Sequence, residues 1–143
     1  MKKPGSVRLL GVTVMASGAF DVFGAVYFAL LVGTGKSVAD PPAHPFYAQL
    51  IASFLLCLGL LQIFTALDIR RRLGNLSFVI LSRLLYGVLF FGYFLSEPGF
   101  PSVFLPTAIA DLIWSLSYVL LIAMSRDLSL RSLLAPEKPK PAF

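Results

Sequence analysis

Asp21, Arg83 and Asp111 are ionisable side chains set in stretches of sequence that are otherwise apolar. Charge is costly in hydrocarbon, so each is a functional-site candidate by default. Two carboxylates and one guanidinium leave one negative charge uncompensated, which suits a shared or exchangeable proton, a cation or a polar headgroup. Gln62, Tyr86, Trp114 and Tyr118 join them as candidate residues of a ligand or proton site. At helical spacing, Thr107, Ala108, Asp111, Trp114, Ser115 and Tyr118 form one stripe, and Arg83, Tyr86, Gly87 and Phe90 a second. Gly59, Gln62 and Thr65 make a third. Aromatic rings beside glycine and a few polar groups can line a pocket for a flat lipophilic molecule. The same residues also suit a purely structural interhelical clamp.

Other chemistries find no residues to carry them. Cys57 is the sole cysteine, so no intramolecular disulfide or CxxC redox pair can form, and it reads as apolar filler. His44, the sole histidine, has Asp40 nearby, too few ligands for a metal. Gly33-Thr34-Gly35-Lys36-Ser37 imitates the end of a phosphate-binding loop, but Leu30 stands where the earlier glycine is required and no strand precedes it. No arrangement resembles a nucleophile, base and orienting acid. Neither a metal nor a cofactor is expected, and the balance points away from an enzyme.

The elements that must position these residues are membrane-spanning helices. A 57% hydrophobic fraction, 13% charged residues and a mean hydropathy of +0.84 exceed what a soluble core of this length can hide. Four apolar runs, at about 9–32, 47–67, 76–95 and 104–124, supply the excess. Each reaches the roughly 20 residues needed to cross a hydrocarbon core. The expected fold is an all-α, polytopic, antiparallel bundle of four transmembrane helices over residues 1–124, followed at 125–143 by a cytoplasmic segment. There Leu128, Leu130, Leu133 and Leu134 alternate with Arg126 and Arg131, predicting a short amphipathic helix on the membrane surface before a disordered tail.

The formal charge of +5 resides at the ends of these spans, which excludes a nucleic-acid partner as its cause. Lys2, Lys3 and Arg8 precede the first run, Arg70, Arg71 and Arg72 join the second to the third, and Arg126, Arg131, Lys138 and Lys140 follow the fourth. The opposite loops hold only Lys36. The positive-inside rule therefore predicts cytoplasmic N- and C-termini. The run past Ala19 to Val32 favours a retained first helix over a cleaved signal peptide. Counted from that side at 1.5 Å per residue, Asp21 and Asp111 lie about 18 and 20 Å deep, and Arg83 about 10 Å. An arginine below two carboxylates has the reach to bridge them, or to snorkel the other way.

Ser17, Gly18, Asp21, Gly24, Ala25 and Phe28 share one side of the first helix, where small side chains predict a close neighbour. The short basic turn after Asp68 predicts a hairpin between spans two and three. An internal duplication would align 23–28 with 86–91.

The segments Arg8-Leu9-Leu10-Gly11, Leu67-Asp68-Ile69-Arg70-Arg71-Arg72 and Ala110-Asp111-Leu112 together resemble small four-span bacterial membrane proteins of the DoxX and BphX-like kind. That resemblance carries no catalytic signature. It implies an accessory membrane subunit, in some members linked to quinone-dependent oxidation or aromatic degradation. The leading expectation is thus a non-enzymatic accessory or assembly protein of a bacterial inner membrane. The alternative is a binder or carrier of a small lipophilic or protonatable ligand, quinone-like or lipid-like, at the Asp/Arg cluster. Expected partners are the lipid bilayer, a membrane protein or second copy of the chain, and a lipophilic small molecule.

Overall fold

Leu, Ile, Val, Phe and Ala dominate every long element of the computed structural model, which describes residues 6–32, 34, 45–99, 105–125 and 128–134. Lys2, Lys3, Lys36, Asp40, His44, Arg126, Asp127, Lys138, Lys140 and the expected disordered tail lie outside the described residues, as does most of the loop resembling a phosphate-binding turn. Helix α1 spans Ser6–Tyr27 and runs into a wider π-helical turn, Phe28–Val32. Helices α2 (Pro45–Leu67), α3 (Leu73–Ser96) and α4 (Leu105–Met124) follow, then a short α5 (Leu130–Leu134). The four long helices are each long and apolar enough to cross a membrane, and no strand occurs among the described residues. The fold is an all-α four-helix bundle. Helices α1 and α3 begin at residues 6 and 73, ahead of the apolar runs at 9 and 76, because backbone hydrogen bonding continues past the last residues that hydrocarbon favours.

Hydroxyl groups on these apolar helices mostly satisfy themselves. Thr13, Ser53, Thr65, Ser96 and Ser117 each donate to the carbonyl four residues earlier, at 2.6–2.9 Å. Such local bonds let a polar residue sit on an apolar helix without a partner elsewhere. At the turn between α2 and α3, the Arg72 guanidinium donates to the Phe64 carbonyl at 2.6 Å, capping the end of α2. Arg71 pairs with Asp68 at 3.5 Å. The basic turn therefore closes a helix as well as carrying charge.

Packing follows the small residues. A Cβ built on Gly18 would fall 2.8 Å from the Gly59 carbonyl oxygen, and one on Gly59 2.7 Å from that of Gly18. The α1 and α2 backbones thus touch where both lack a side chain, the approach that drives helix association in lipid. The most extensive interfaces are α1 with α2 and α3 with α4; α1 also packs on α4. Helices α2 and α3 form the expected hairpin but meet over a smaller surface. The two tight pairs are the units that an internal duplication would relate.

Two apolar clusters lie at opposite ends. At the end carrying Arg8 and Arg70–Arg72, Leu10, Val14, Leu76, Val79, Tyr118 and Ile122 are fully buried together. Leu128 is buried against them, and Ser77 donates a hydrogen bond to the Leu133 carbonyl. The segment after α4 packs against α3 and α4, with Leu128 buried and Leu130 exposed. At the other end, Phe28 and Val32 of the π-helical turn pack on Ala48 and Ala52 of α2.

Candidate functional site

Between these clusters, the four long helices send polar side chains to one point. Helix α1 contributes Ser17 and Asp21, one turn apart on the face that carries Gly18; α2 contributes Gln62, α3 Arg83, and α4 Asp111 and Tyr118. Asp21 and Arg83 are each 3% exposed, and Gln62, Ser17 and Tyr118 are fully buried. Arg83 forks across the bundle. Its Nη2 donates to Asp21 Oδ2 at 2.6 Å, and its Nη1 pairs with Asp111 Oδ1. The arginine bridges both carboxylates and does not snorkel.

Gln62 is the hub. Its Nε2 donates to Asp21 Oδ2 at 2.6 Å and to the Leu58 carbonyl at 3.1 Å. Its Oε1 accepts from Ser17 at 2.5 Å and from Arg83 Nη2 at 3.1 Å, and the Tyr118 hydroxyl lies 3.2 Å from it. This donor and acceptor pattern fixes which way the amide points, since an inverted amide would face its NH₂ toward three donors. Ser17 and Tyr118 also share a short hydroxyl–hydroxyl hydrogen bond. A continuous chain of hydrogen bonds thus runs from Tyr118 on α4 through Ser17, Gln62, Asp21 and Arg83 back to Asp111 on α4.

Two carboxylate oxygens are left over. The protein hydrogen bonds fall on Asp21 Oδ2 and Asp111 Oδ1, and Asp21 Oδ1 and Asp111 Oδ2 receive none among the described residues. Arg83 Nε and Ser115 Oγ are buried without a hydrogen-bond partner among them. A buried polar atom without a partner forgoes about 1–3 kcal/mol, so such atoms mark places where a ligand or water has bonds to offer.

Two cavities, of about 250 and 260 Å³, adjoin the cluster, and Asp21, Leu55, Tyr86 and Asp111 line both. Their α1 lining begins at Phe20, their α2 lining ends at Leu58 and their α4 lining ends at Asp111, which places them between the cluster and the end remote from Arg70–Arg72. The first reaches the bundle surface beside Phe20 and Phe23, and the second beside Phe54, all three exposed. On the basic side the Leu10, Val14, Leu76 and Ile122 cluster seals the site. The charged group is accessible from one half of the bundle, through apolar walls.

Asp21, Arg83, Asp111, Gln62 and Tyr118 are therefore brought together, and Tyr86 stands at both cavities, sharing a side-chain hydrogen bond with Thr107. Trp114 does not join them; it packs against the apolar cluster around Tyr118 and Ile122. Ser17 is a member that sequence reasoning placed on the right face without assigning it to the site. Its position one turn before Asp21 was the available signal.

By fold and site, the chain is a four-helix bundle of membrane-span build around a buried, three-charge cluster. Comparison with known protein families, curated proteins and solved structures yields no match.

Proposed function

We propose that the protein is a multi-pass protein of a bacterial inner membrane, with both termini cytoplasmic, that binds a small lipophilic or protonatable ligand beside Asp21 and Asp111 without catalysing a reaction. One observation carries this reading: both carboxylates line both cavities, with an oxygen of each free of hydrogen bonds among the described residues. A clamp needs its charges paired, but it has no need of apolar space beside them. Arg8, Arg70, Arg71, Arg72 and Arg131 at one end support the orientation, which puts the pocket in the outer half of the membrane. The ligand's route is then lateral, from the lipid past Phe20 and Phe23 or past Phe54.

A second reading, an accessory or assembly protein in which the cluster serves packing alone, is favoured by the way Gln62 and Arg83 tie the four helices together. The resemblance to DoxX and BphX-like proteins supports it too, with a membrane protein or second copy as partner.

Native mass spectrometry of protein released from lipid nanodiscs separates the two. Under the binding reading, a lipophile leaves with the wild-type protein in stoichiometric amount and is missing from Asp21→Asn and Asp111→Asn variants of unchanged helicity. If no lipophile accompanies any form, the Asp variants grow normally and Arg83→Ala alone lowers expression, the packing reading stands and the binding reading falls.

A further inference from the structure

The pocket's charge and walls specify its occupant further, granted the binding reading above. We infer that the site takes a lipophilic monocation, an ammonium carried on an aromatic or similarly flat apolar body, and that this cation exchanges with a single proton. Asp21 and Asp111 carry two negative charges against the one positive charge of Arg83. Surplus charge in an apolar enclosure is unfavourable without a counterion, so the site holds one proton until a cation takes its place. The groups that set this balance come from each packed element: Asp21 and Tyr27 from α1, Arg83 and Tyr86 from α3, Asp111 and Tyr118 from α4, with the uncharged Gln62 from α2. None besides Arg83 is a cation.

Geometry agrees with the charge count. Among the described residues Asp21 Oδ1 and Asp111 Oδ2 have no donor, both residues border both cavities, and an ammonium brings N–H donors alone. An anion would meet two carboxylates, and a neutral alcohol or quinone would leave the surplus charge in place. The walls suit the rest of such a ligand. Phe20, Phe23, Tyr27, Phe28, Tyr86 and, in the second cavity, Phe54 supply aromatic rings, whose faces attract a nearby cation. Binding then balances: one ammonium enters, one proton leaves, and the net charge of the cluster is unchanged.

Tryptamine, tryptophol and indoleacetate share a skeleton and differ in the head group, which makes them direct probes. Calorimetric titration of the full chain in phosphatidylcholine nanodiscs should give tryptamine at least about tenfold tighter than tryptophol, with indoleacetate weaker still. Tryptamine affinity should fall on acidification. Titration in buffers of differing ionisation enthalpy should show close to one proton released per amine bound. In Asp111→Asn the amine's advantage over the alcohol should vanish. Repetition in discs containing phosphatidylethanolamine tells a free amine from the membrane's own ammonium headgroup: unchanged affinity supports the former and competition the latter, as the source of the same cation. Equal or stronger binding of tryptophol or indoleacetate overturns the cation assignment while leaving a lipophile pocket. Failure of all three to bind overturns both.

Discussion

Gln62 accomplishes what no charged residue in its place would, facing its amide oxygen to three donor groups while its NH₂ donates to a carboxylate. Its neighbours differ in how replaceable they are. Arg83→Gln would leave buried Asp21 and half-buried Asp111 without their counter-charge, and a loss of about 3–5 kcal/mol is expected, the usual cost of removing one partner of a buried pair. Thermal unfolding in detergent should show it as a large drop in Tm, partly recovered when Asp111→Asn is added. A drop that Asp111→Asn deepens would mean that the guanidinium is not there to offset the carboxylates. Tyr118→Phe is gentler, since it removes one hydroxyl and leaves Gln62 Oε1 with Ser17 and Arg83; about 1 kcal/mol is expected. A double-mutant cycle of Tyr118→Phe with Ser17→Ala should show clear coupling, because the two hydroxyls bond one another. Additive losses would place them in separate networks.

At the scale of elements, glycine positions divide sharply by what surrounds them. Gly18→Ala and Gly59→Ala each push a methyl against the opposing backbone, which cannot yield as a side-chain tip can, and each should cost about 1–3 kcal/mol by separating α1 from α2. Gly92, with nothing within 4 Å of a built Cβ, is the control. Gly92→Ala should leave stability unchanged or raise it by up to about 1 kcal/mol through helix propensity. Unfolding of the three variants in one detergent checks the contrast, and equal losses would remove the case for a backbone-to-backbone contact. The sequence stripe Ser17, Gly18, Asp21, Gly24, Ala25 and Phe28 foretold which side of α1 is buried: Gly24 is half-buried and the other five are buried. It did not say that α2 would be the close neighbour, because many apolar helix faces offer small residues. The π-helical turn at Phe28–Val32 had no sequence signal either; its residues are as apolar as those before it.

For the whole molecule, the two ends of α3 lie on opposite sides of the bundle, so Arg71 and Glu97 should too. With Cys57→Ala as background, single cysteines at these positions should react with an impermeant maleimide from opposite faces of the membrane, Arg71→Cys from the cytoplasmic face. Labelling of both from one side would sink the four-span topology. Length, apolar runs and basic flanks sufficed for four long helices, because crossing hydrocarbon demands backbone hydrogen bonds within each segment, and that is a local property of sequence. The same logic singled out Asp21, Arg83 and Asp111, since an ionisable residue in an apolar run is conspicuous wherever it sits. The common level of the two carboxylates, with Arg83 below them, also followed from counting 1.5 Å per residue. What required the tertiary structure was rotation and partnership: that Arg83 turns inward to both carboxylates, that Trp114 turns away to the apolar cluster, that Ser17 joins the network, and that the apolar space lies on one side of it. A helix's sequence gives its faces, but which face meets which depends on side chains from four separate helices filling one volume, and no single stretch of the chain contains that information.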